Sequence, residues 1–249
     1  MRDRLLPRGT RDLARQIGLF CGAYLAYRVV RGLVDGRASL AFENARTLID
    51  AERALGLFVE PAVHGWASGH GAVIDVASWL YVNSHFTITT VTLAFIYLAR
   101  NEAFYFVRNM FMIAMGIALV GYLAFPTAPP RFMPEWGFRD SVADFTGVTA
   151  DSASADLLFN PFAAVPSMHV AFALMLAGPM ASMTPRGWLK ALWWAYPGVV
   201  AFVVVATANH WWLDALLGAL TAAAAAQGAR WLARRRPASW AFRPLLADA

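Results

Sequence analysis

The sequence predicts an all-α, polytopic membrane protein built as a bundle of six transmembrane helices. Hydrophobic residues make up 59% of the 249 residues and charged residues only 15%, which is too apolar for a water-soluble domain of this size. Six apolar stretches approach the ~20 residues that a helix needs to cross a bilayer. They are residues 16–34, 79–99, 103–125, 166–183, 190–208 and 211–232. The first stretch follows a basic N-terminus without a small-residue cleavage pattern, so we expect it to be an anchor.

The distribution of Lys and Arg predicts the orientation of these spans. With both termini in the cytoplasm, thirteen cationic residues fall on the cytoplasmic side and five on the outer side, as the positive-inside rule requires. The net charge of +5 then reflects topology and contact with anionic lipid, and no nucleic-acid-binding motif accompanies it. Arginine outnumbers lysine twenty to one, which favours a GC-rich bacterial source and hence the inner (plasma) membrane.

The spans also define the domain organisation. We divide the chain into a basic cytoplasmic lead-in at 1–15, a single membrane domain at 16–233 and a cytoplasmic tail at 234–249. Residues 36–70 mix charged and apolar side chains, so we expect them to form interfacial helices on the outer face, broken at Gly56 and Pro61. Residues 126–165 form an outer loop, whose first prolines are expected to hold Arg131 on a stiff, extended path.

The segment from Asn160 to His169 lies where a polar, acidic loop meets an apolar stretch of membrane length. Proline is favoured in the first turn of a helix, so Pro166 would place Ser167, Met168 and His169 in that turn, with free backbone N–H groups. Such a helix end attracts anions, and a histidine there can transfer a proton to a leaving oxygen. A packing role is the alternative for a lone histidine in this position.

A second histidine favours the chemical interpretation. His210 precedes Asp214 by one helical turn, so the carboxylate can accept the imidazole Nδ1–H and leave Nε2 as an attacking lone pair. The adjoining Trp211 and Trp212 are expected in the aromatic belt at the membrane interface.

Residues from three distant parts of the chain are predicted to meet on the outer face. They are Arg131 after the third span, Ser167 and His169 at the start of the fourth, and His210 with Asp214 at the start of the sixth. This convergence follows from charge counting and span length, without any motif. A stiffly held guanidinium such as that of Arg131 suits a pair of phosphate oxygens.

Four further residues are candidate substrate contacts: Tyr81, His85, Asn160 and Asn209. His85 lies fifteen residues before Arg100, which places it roughly 22 Å from the cytoplasmic end of its helix. An ionisable side chain at that depth is a functional candidate by default. A structural, hydrogen-bonded histidine is the alternative.

The segments Pro126–Arg131, Pro166–His169 and His210–Asp214 resemble the three phosphatase motifs of the PAP2 superfamily (type 2 phosphatidic acid phosphatases). The resemblance covers about residues 40–225 and is strongest to the Aur1-like inositol phosphorylceramide synthase branch. It implies a six-helix bundle and a metal-independent, cofactor-free reaction through a phosphohistidine. By this resemblance His210 is the nucleophile, Asp214 orients it, His169 protonates the leaving group, and Arg131 and Ser167 hold the phosphoryl oxygens.

Two cations of the wider family pattern are missing. Where the family pattern has a lysine, this chain has Ala124, and where the pattern has a Ser-Arg pair, this chain has Val203 and Val204. A phosphate monoester carries up to two charges at neutral pH whereas a diester carries one, so a pocket with few cations favours phosphotransfer from a phospholipid or prenyl phosphate to a polyol, sugar or lipid hydroxyl. Hydrolysis by a lipid phosphate phosphatase, acting on phosphatidic acid or a prenyl diphosphate, is the alternative if Arg28, Arg31 or Arg139 restores the charge.

Three other classes fit the sequence less well. A non-enzymatic lipid transporter or channel is expected to have its site near the bilayer midplane, often between repeats, whereas these polar residues cluster at one face. A catalytically lapsed member that only binds a lipid phosphate is disfavoured by the intact His169, His210 and Asp214. A metal hydrolase is disfavoured because the five histidines lack carboxylate or cysteine partners at ligand spacing, apart from Asp214.

Overall fold

The computed structural model of the protein describes residues 6–147, 162–237 and 240. These residues form helices joined by turns, with one isolated parallel bridge between Thr127 and Ala163. The helices are α1 (Gly9–Val34), α2 (Ala38–Ala54), α3 (Glu60–Ser68), α4 (Gly71–Asn83), α5 (Thr89–Ala99), α6 (Asn101–Ala124), α7 (Ser141–Thr146), α8 (Met168–Met183), α9 (Gly187–Ala206) and α10 (Trp212–Arg235). A π-helical turn at Ser84–Ile88 joins α4 to α5.

The all-α class is confirmed, and three helices are long and apolar enough to cross a membrane. They are the continuous α4–α5 segment Gly71–Ala99, α6 and α9, while the apolar α8 is shorter. Each of the six predicted spans coincides with a helix, but the count of six crossings and their orientation stay predictions. The same holds for the interfacial placement of α2 and α3 and for the proposed domain limits.

Helix α8 lies at the centre of the bundle, where it packs against α6, α9 and α10. Two glycines bring the segment before α8 close to its neighbours. A Cβ on Gly121 of α6 would lie 2.8 Å from Pro166 Cδ, and a Cβ on Gly218 of α10 would overlap the carbonyl oxygen of Ser167. Small residues permit such close contact between apolar helices, so the Pro166–Ser167 backbone is fixed between α6 and α10.

The structure differs from the predicted one at Pro61 and Pro130. Pro61 lies in the first turn of α3, so it begins a helix instead of breaking one, as its fixed φ and missing N–H allow. Only Gly56, with φ of +68°, lies in the break between α2 and α3. Arg131 does not lie on an extended path, because Pro130–Phe132 form a short 3-10 helix.

The predicted place of Trp211 in the aromatic belt is wrong. Its side chain is fully buried, stacks on Phe58 and contacts Phe138 edge-on. Its indole Nε1–H donates to the carbonyl of Ala128 at 3.0 Å. A buried tryptophan needs such a partner, and this one attaches the start of α10 to the loop that carries Arg131.

Candidate active site

A tight turn between α9 and α10 carries His210. Ala208 adopts a φ of +55° in this turn, a conformation that costs energy for a residue with a Cβ and persists only where the surroundings fix it. Its carbonyl accepts the backbone N–H of Arg131 at 2.8 Å, and the N–H groups of Asn209 and His210 both donate to the carbonyl of Val204 at 2.9 and 3.0 Å. The turn therefore fixes the backbone of His210 and that of Arg131 together.

His210 lies between a carboxylate and a second imidazole. Its Nδ1 is 3.1 Å from Oδ1 of the fully buried Asp214, and its Nε2 is 3.3 Å from Nδ1 of His169. A proton on His210 Nδ1 would face this carboxylate and leave the Nε2 lone pair directed at His169. The arrangement is a continuous series of contacts from Asp214 through His210 to His169.

The start of α8 presents backbone N–H groups that have no partner among the described residues. Ser167 is its N-cap residue, and its own N–H donates to the carbonyl of Asp214 at 3.1 Å. Within the described part of the chain, no hydrogen bond engages the backbone N–H groups of Met168, His169 and Val170 or the buried hydroxyl of Ser167. The helix begins at Met168 and not at Pro166 as predicted, because the Ser167 backbone is extended.

The Arg131 guanidinium contacts the side chains of Asn209, Asp140 and Tyr81. Its Nη1 donates to Oδ1 of Asn209, and its Nε lies 3.3 Å from Oδ2 of Asp140. Asn209 is itself fixed, because its amide donates to the carbonyl and hydroxyl of Thr207 at 2.9 and 3.0 Å. The arginine is thus positioned by side-chain contacts in addition to the backbone bond to Ala208.

A cavity of about 410 Å³ joins these groups to the interior of the bundle. Arg131, His169, Asn209 and His210 line one part of it, and the apolar remainder is lined by residues of α1, α5 and α6, among them Phe20, Tyr27, Leu93, Phe111, Met115 and Ala118. Leu93 is eight residues beyond His85, so the cavity extends roughly 12 Å along the α4–α5 axis. Its size and lining are those of a site for a largely apolar ligand with a polar end.

Tyr81 and His85 line the cavity beside His169. The Tyr81 ring stacks on the His169 ring with centroids 4.4 Å apart, while the His85 ring lies 4.5 Å from His169 and stacks on Phe172. The Nδ1 atom of His85 is buried without a hydrogen-bond partner. A buried, unpartnered polar atom is costly, and a polar group of a ligand in the cavity would satisfy it.

The N-terminus of α10 is occupied by three carboxylates. The backbone N–H groups of residues 211, 212 and 213 donate to Asp214, Glu60 and Glu52 respectively, each at 2.9 Å. Both glutamates are fully buried, and burial, together with the neighbouring Glu60, raises the pKa of Glu52, so Glu52 holds a proton. This cluster fixes α10, and with it Asp214, against α2 and α3.

His64 connects the same elements from the other side. Its Nδ1–H donates to the carbonyl of Ala206 at 2.8 Å, and its Nε2 accepts the backbone N–H of Arg139 at 3.1 Å. Burial lowers the pKa of His64, which keeps the imidazole neutral and able to accept. The end of α9 is thereby attached to the loop that carries Asp140.

The structure brings most of the predicted site residues together. Asp214 lies behind His210, and Ser167 is buried at the cap of α8 without lining the cavity, whereas Asn160 falls outside the described residues. Sequence reasoning missed Glu52, Glu60, His64 and Asp140. For the first three, the only sequence signal was the presence of ionisable residues among apolar ones in residues 36–70.

The two missing family cations are not replaced within the described residues. Val203 and Val204 are buried in an apolar cluster with residues of α4 and α8, and neither Arg28 nor Arg139 lines the cavity. The Arg31 side chain lies outside the described part of the chain. Among the described residues, no group of three or more His, Cys, Asp and Glu side chains is arranged to hold a metal ion.

The helices and the site together define a helical membrane protein that presents a histidine pair and an arginine at the head of an apolar cavity. A family model described as the PAP2 superfamily matches residues 46–227. The chain therefore belongs to the PAP2 superfamily, and this membership indicates lipid phosphate chemistry of the phosphatase or phosphotransferase type. No curated protein and no solved structure matches the chain.

Proposed function

We propose that the protein is a membrane-embedded lipid phosphotransferase of the Aur1-like type, acting at the outer face through a phosphohistidine intermediate. The observation that carries this proposal is the contact series from Asp214 through His210 to His169 at the head of an apolar cavity. The donor is a phospholipid or prenyl phosphate, and the acceptor is a hydroxyl of a polyol, sugar or lipid.

The first displacement uses His210 as the nucleophile. Its Nε2 lone pair attacks phosphorus and forms the P–N bond, while the Asp214 carboxylate stabilises the charge that develops on the ring. The bond from phosphorus to the leaving oxygen breaks, and His169 gives its proton to that oxygen. In the second displacement the roles are reversed. The oxygen of the acceptor hydroxyl attacks phosphorus while His169 takes the proton of that hydroxyl, and the P–N bond to His210 breaks.

Substrate binding has to separate the two rings. An in-line displacement places phosphorus between the nucleophile and the acid. His210 Nε2 must then approach phosphorus while His169 Nδ1 donates to the leaving oxygen, and these two contacts together need roughly 7 Å between the two nitrogen atoms. The present distance is 3.3 Å. We therefore expect the His169 and His210 rings to move apart when a phosphoryl group enters.

The phosphoryl oxygens are bound by Arg131 and by the start of α8. Met168 and His169 line the cavity, and their free backbone N–H groups supply hydrogen bonds, while the helix dipole adds favourable charge. Preorganised donors of this kind stabilise charge that moves to the oxygens in the transition state. The apolar part of the cavity receives the lipid chain, and the unpartnered Nδ1 of His85 contacts the polar headgroup or the acceptor.

The low charge of the pocket favours transfer of a diester or another singly charged phosphoryl group. Arg131 is the one charged residue, histidines aside, among the described residues that line the cavity. A dianionic monoester would keep one uncompensated charge in a largely apolar site, which is costly. A singly charged group is balanced by the single guanidinium.

Product analysis on the purified protein tests the proposal. Phosphatidic acid, a prenyl diphosphate and a phosphoinositide are each offered with and without inositol and ceramide. A new phosphodiester that requires the acceptor supports transfer, whereas free phosphate as the product on all donors would make the protein a lipid phosphatase.

A matched pair of histidine variants tests the nucleophile. His210→Ala should abolish turnover and the acid-labile phosphoryl label on the protein, with folding retained. His70→Ala, at an exposed ring that contacts the carbonyl of Trp66, should leave both unchanged. Substantial activity in His210→Ala would remove His210 as the nucleophile.

A further inference from the structure

The cation of the site is paired with an acid that the catalytic scheme does not use. Asp140 lies outside the cavity lining, with Oδ2 3.3 Å from the Arg131 Nε. The arginine side chain is 13% exposed and the aspartate side chain 27%, so solvent screens their charges only in part. A phosphoryl group bound to Arg131 would therefore be influenced by the Asp140 charge as well.

The position of Asp140 is set by the fold. Its Oδ1 accepts the backbone N–H of Ala143 at 3.0 Å and caps α7. That helix packs on α4, where the Ser78 hydroxyl donates to the carbonyl of Ser141 at 3.3 Å. On the other side, the backbone N–H of Arg139 is bound by His64. The carboxylate is consequently held beside Arg131 by contacts from three helices.

The contact also decides how Arg131 can bind phosphate. Asp140 lies at Nε and Asn209 binds Nη1, and the Tyr81 hydroxyl also interacts with the guanidinium. A phosphoryl group thus cannot use the Nε edge for the two parallel hydrogen bonds that arginine often makes unless it displaces Asp140. A second charge on the phosphoryl group gains less from this arginine and is repelled by the neighbouring carboxylate.

We propose that Asp140 is a specificity-determining residue that offsets the charge of Arg131 and so selects singly charged phosphoryl groups over dianionic monoesters. This inference rests on the proposed function, because it requires phosphoryl groups to bind at Arg131. Asp140 would thus contribute to charge selectivity from outside the cavity, in addition to the low number of cations inside the cavity.

Asp140→Asn is a near-isosteric test. Asparagine caps a helix as well as aspartate does and its amide oxygen can still accept from Arg131, so the variant removes the charge and keeps the contacts. Asp144→Asn is the matched control, since Asp144 is an exposed acid four residues further along the same segment. It changes the net charge by the same amount without contact to Arg131.

Binding of two probes that differ by one charge gives the readout. Dodecyl phosphate and dodecyl methyl phosphate are titrated into the protein in the His210→Ala background, at pH about 8 and about 5, on either side of the second phosphate pKa of about 6. We expect the Kd ratio of the monoester to the diester to fall about tenfold in Asp140→Asn at the higher pH, a change of about 1.4 kcal/mol. The effect should shrink at the lower pH, where the monoester is singly charged, and Asp144→Asn should match the parent.

The outcomes separate this inference from the proposed function. If both probes bind and the ratio is unchanged in Asp140→Asn, or both affinities fall equally at both pH values, Asp140 has only a structural role and the inference is wrong. If neither probe binds the parent protein, the phosphate site at Arg131 is wrong, and the proposed function fails together with the inference.

Discussion

Replacing Gly218 with alanine tests whether the crossing of α8 and α10 sets the geometry of the site. A Cβ at this position would overlap the carbonyl oxygen of Ser167 and lie 3.1 Å from its carbonyl carbon. Both atoms belong to backbone that is fixed by the Ser167 N–H bond to Asp214, so no flexible side chain can move aside. The two helices must shift apart.

The expected magnitude follows from that shift. Overpacking of a fixed backbone contact costs about 1–3 kcal/mol, which for a chain of this size lowers the melting temperature by roughly 3–10 °C. The displaced groups include the start of α8 and the Asp214 end of α10. A displacement near 1 Å in the reacting groups reduces turnover by about a hundredfold.

Two other glycines supply graded controls. A Cβ on Gly228, also in α10, would lie 3.0 Å from Cδ1 of Ile113, the end of a flexible side chain, and a Cβ on Gly116 in α6 would meet nothing within 4 Å. Thermal unfolding in detergent and product formation are measured for all three variants. We expect a severe effect for Gly218→Ala, a mild one for Gly228→Ala and none or a slight stabilisation for Gly116→Ala. A Gly218→Ala variant with parental stability and activity would refute the close contact.

Three further predictions concern the charges and the cavity. Asp214→Asn should lower turnover by about a hundredfold or more, because the amide no longer favours the proton on His210 Nδ1. The packing should be retained, so product formation should fall while the melting temperature stays unchanged. Burial and the neighbouring Glu60 raise the pKa of Glu52 in the folded protein. Its contribution to stability is therefore present at acidic pH and is lost as the pH rises through that raised value. Glu52→Gln should flatten the pH profile of the melting temperature on the alkaline side. Ala118→Phe should narrow the apolar part of the cavity and shift the substrate preference towards short lipid chains in a competition assay, and an unchanged chain-length profile would exclude that part as the chain site.

The sequence predicts the residues that meet at the site because membrane topology is itself a spatial constraint. Span length and the Lys and Arg distribution assign each span end to a face, so Arg131, His169 and His210 can be brought to one face without any knowledge of helix packing. The contact between His210 and Asp214 is predictable for a different reason. It is local, since the two positions are four apart in the sequence, although His210 lies in the turn before α10 and not in the helix itself.

The groups that hold the site could not be predicted, because their contacts are not local. Glu60 accepts the N–H of Trp212, 152 positions later, and Glu52 accepts the N–H of Leu213, 161 positions later. The periodicity of a sequence gives no information on such distant pairs. An acid in an amphipathic outer segment is usually a solvated residue. The burial of Trp211 could not be predicted for the same reason. An aromatic residue at a helix start is typical of the membrane interface, and only the tertiary fold buries this one.

The two helix N-termini that meet at the site differ in how far their N–H groups are already engaged, and this difference supports the proposed position of the phosphoryl group. At α10 the first N–H groups already bind carboxylates from the protein, so that helix end attracts no further anion and instead fixes Asp214. At α8 the N–H groups after Ser167 are unengaged within the described chain, so that end can bind phosphoryl oxygens. Because the Ser167 N–H donates to the Asp214 carbonyl, the two ends are directly connected. Under the proposed function, a phosphoryl group bound at α8 would therefore lie beside His210, the nucleophile of that proposal.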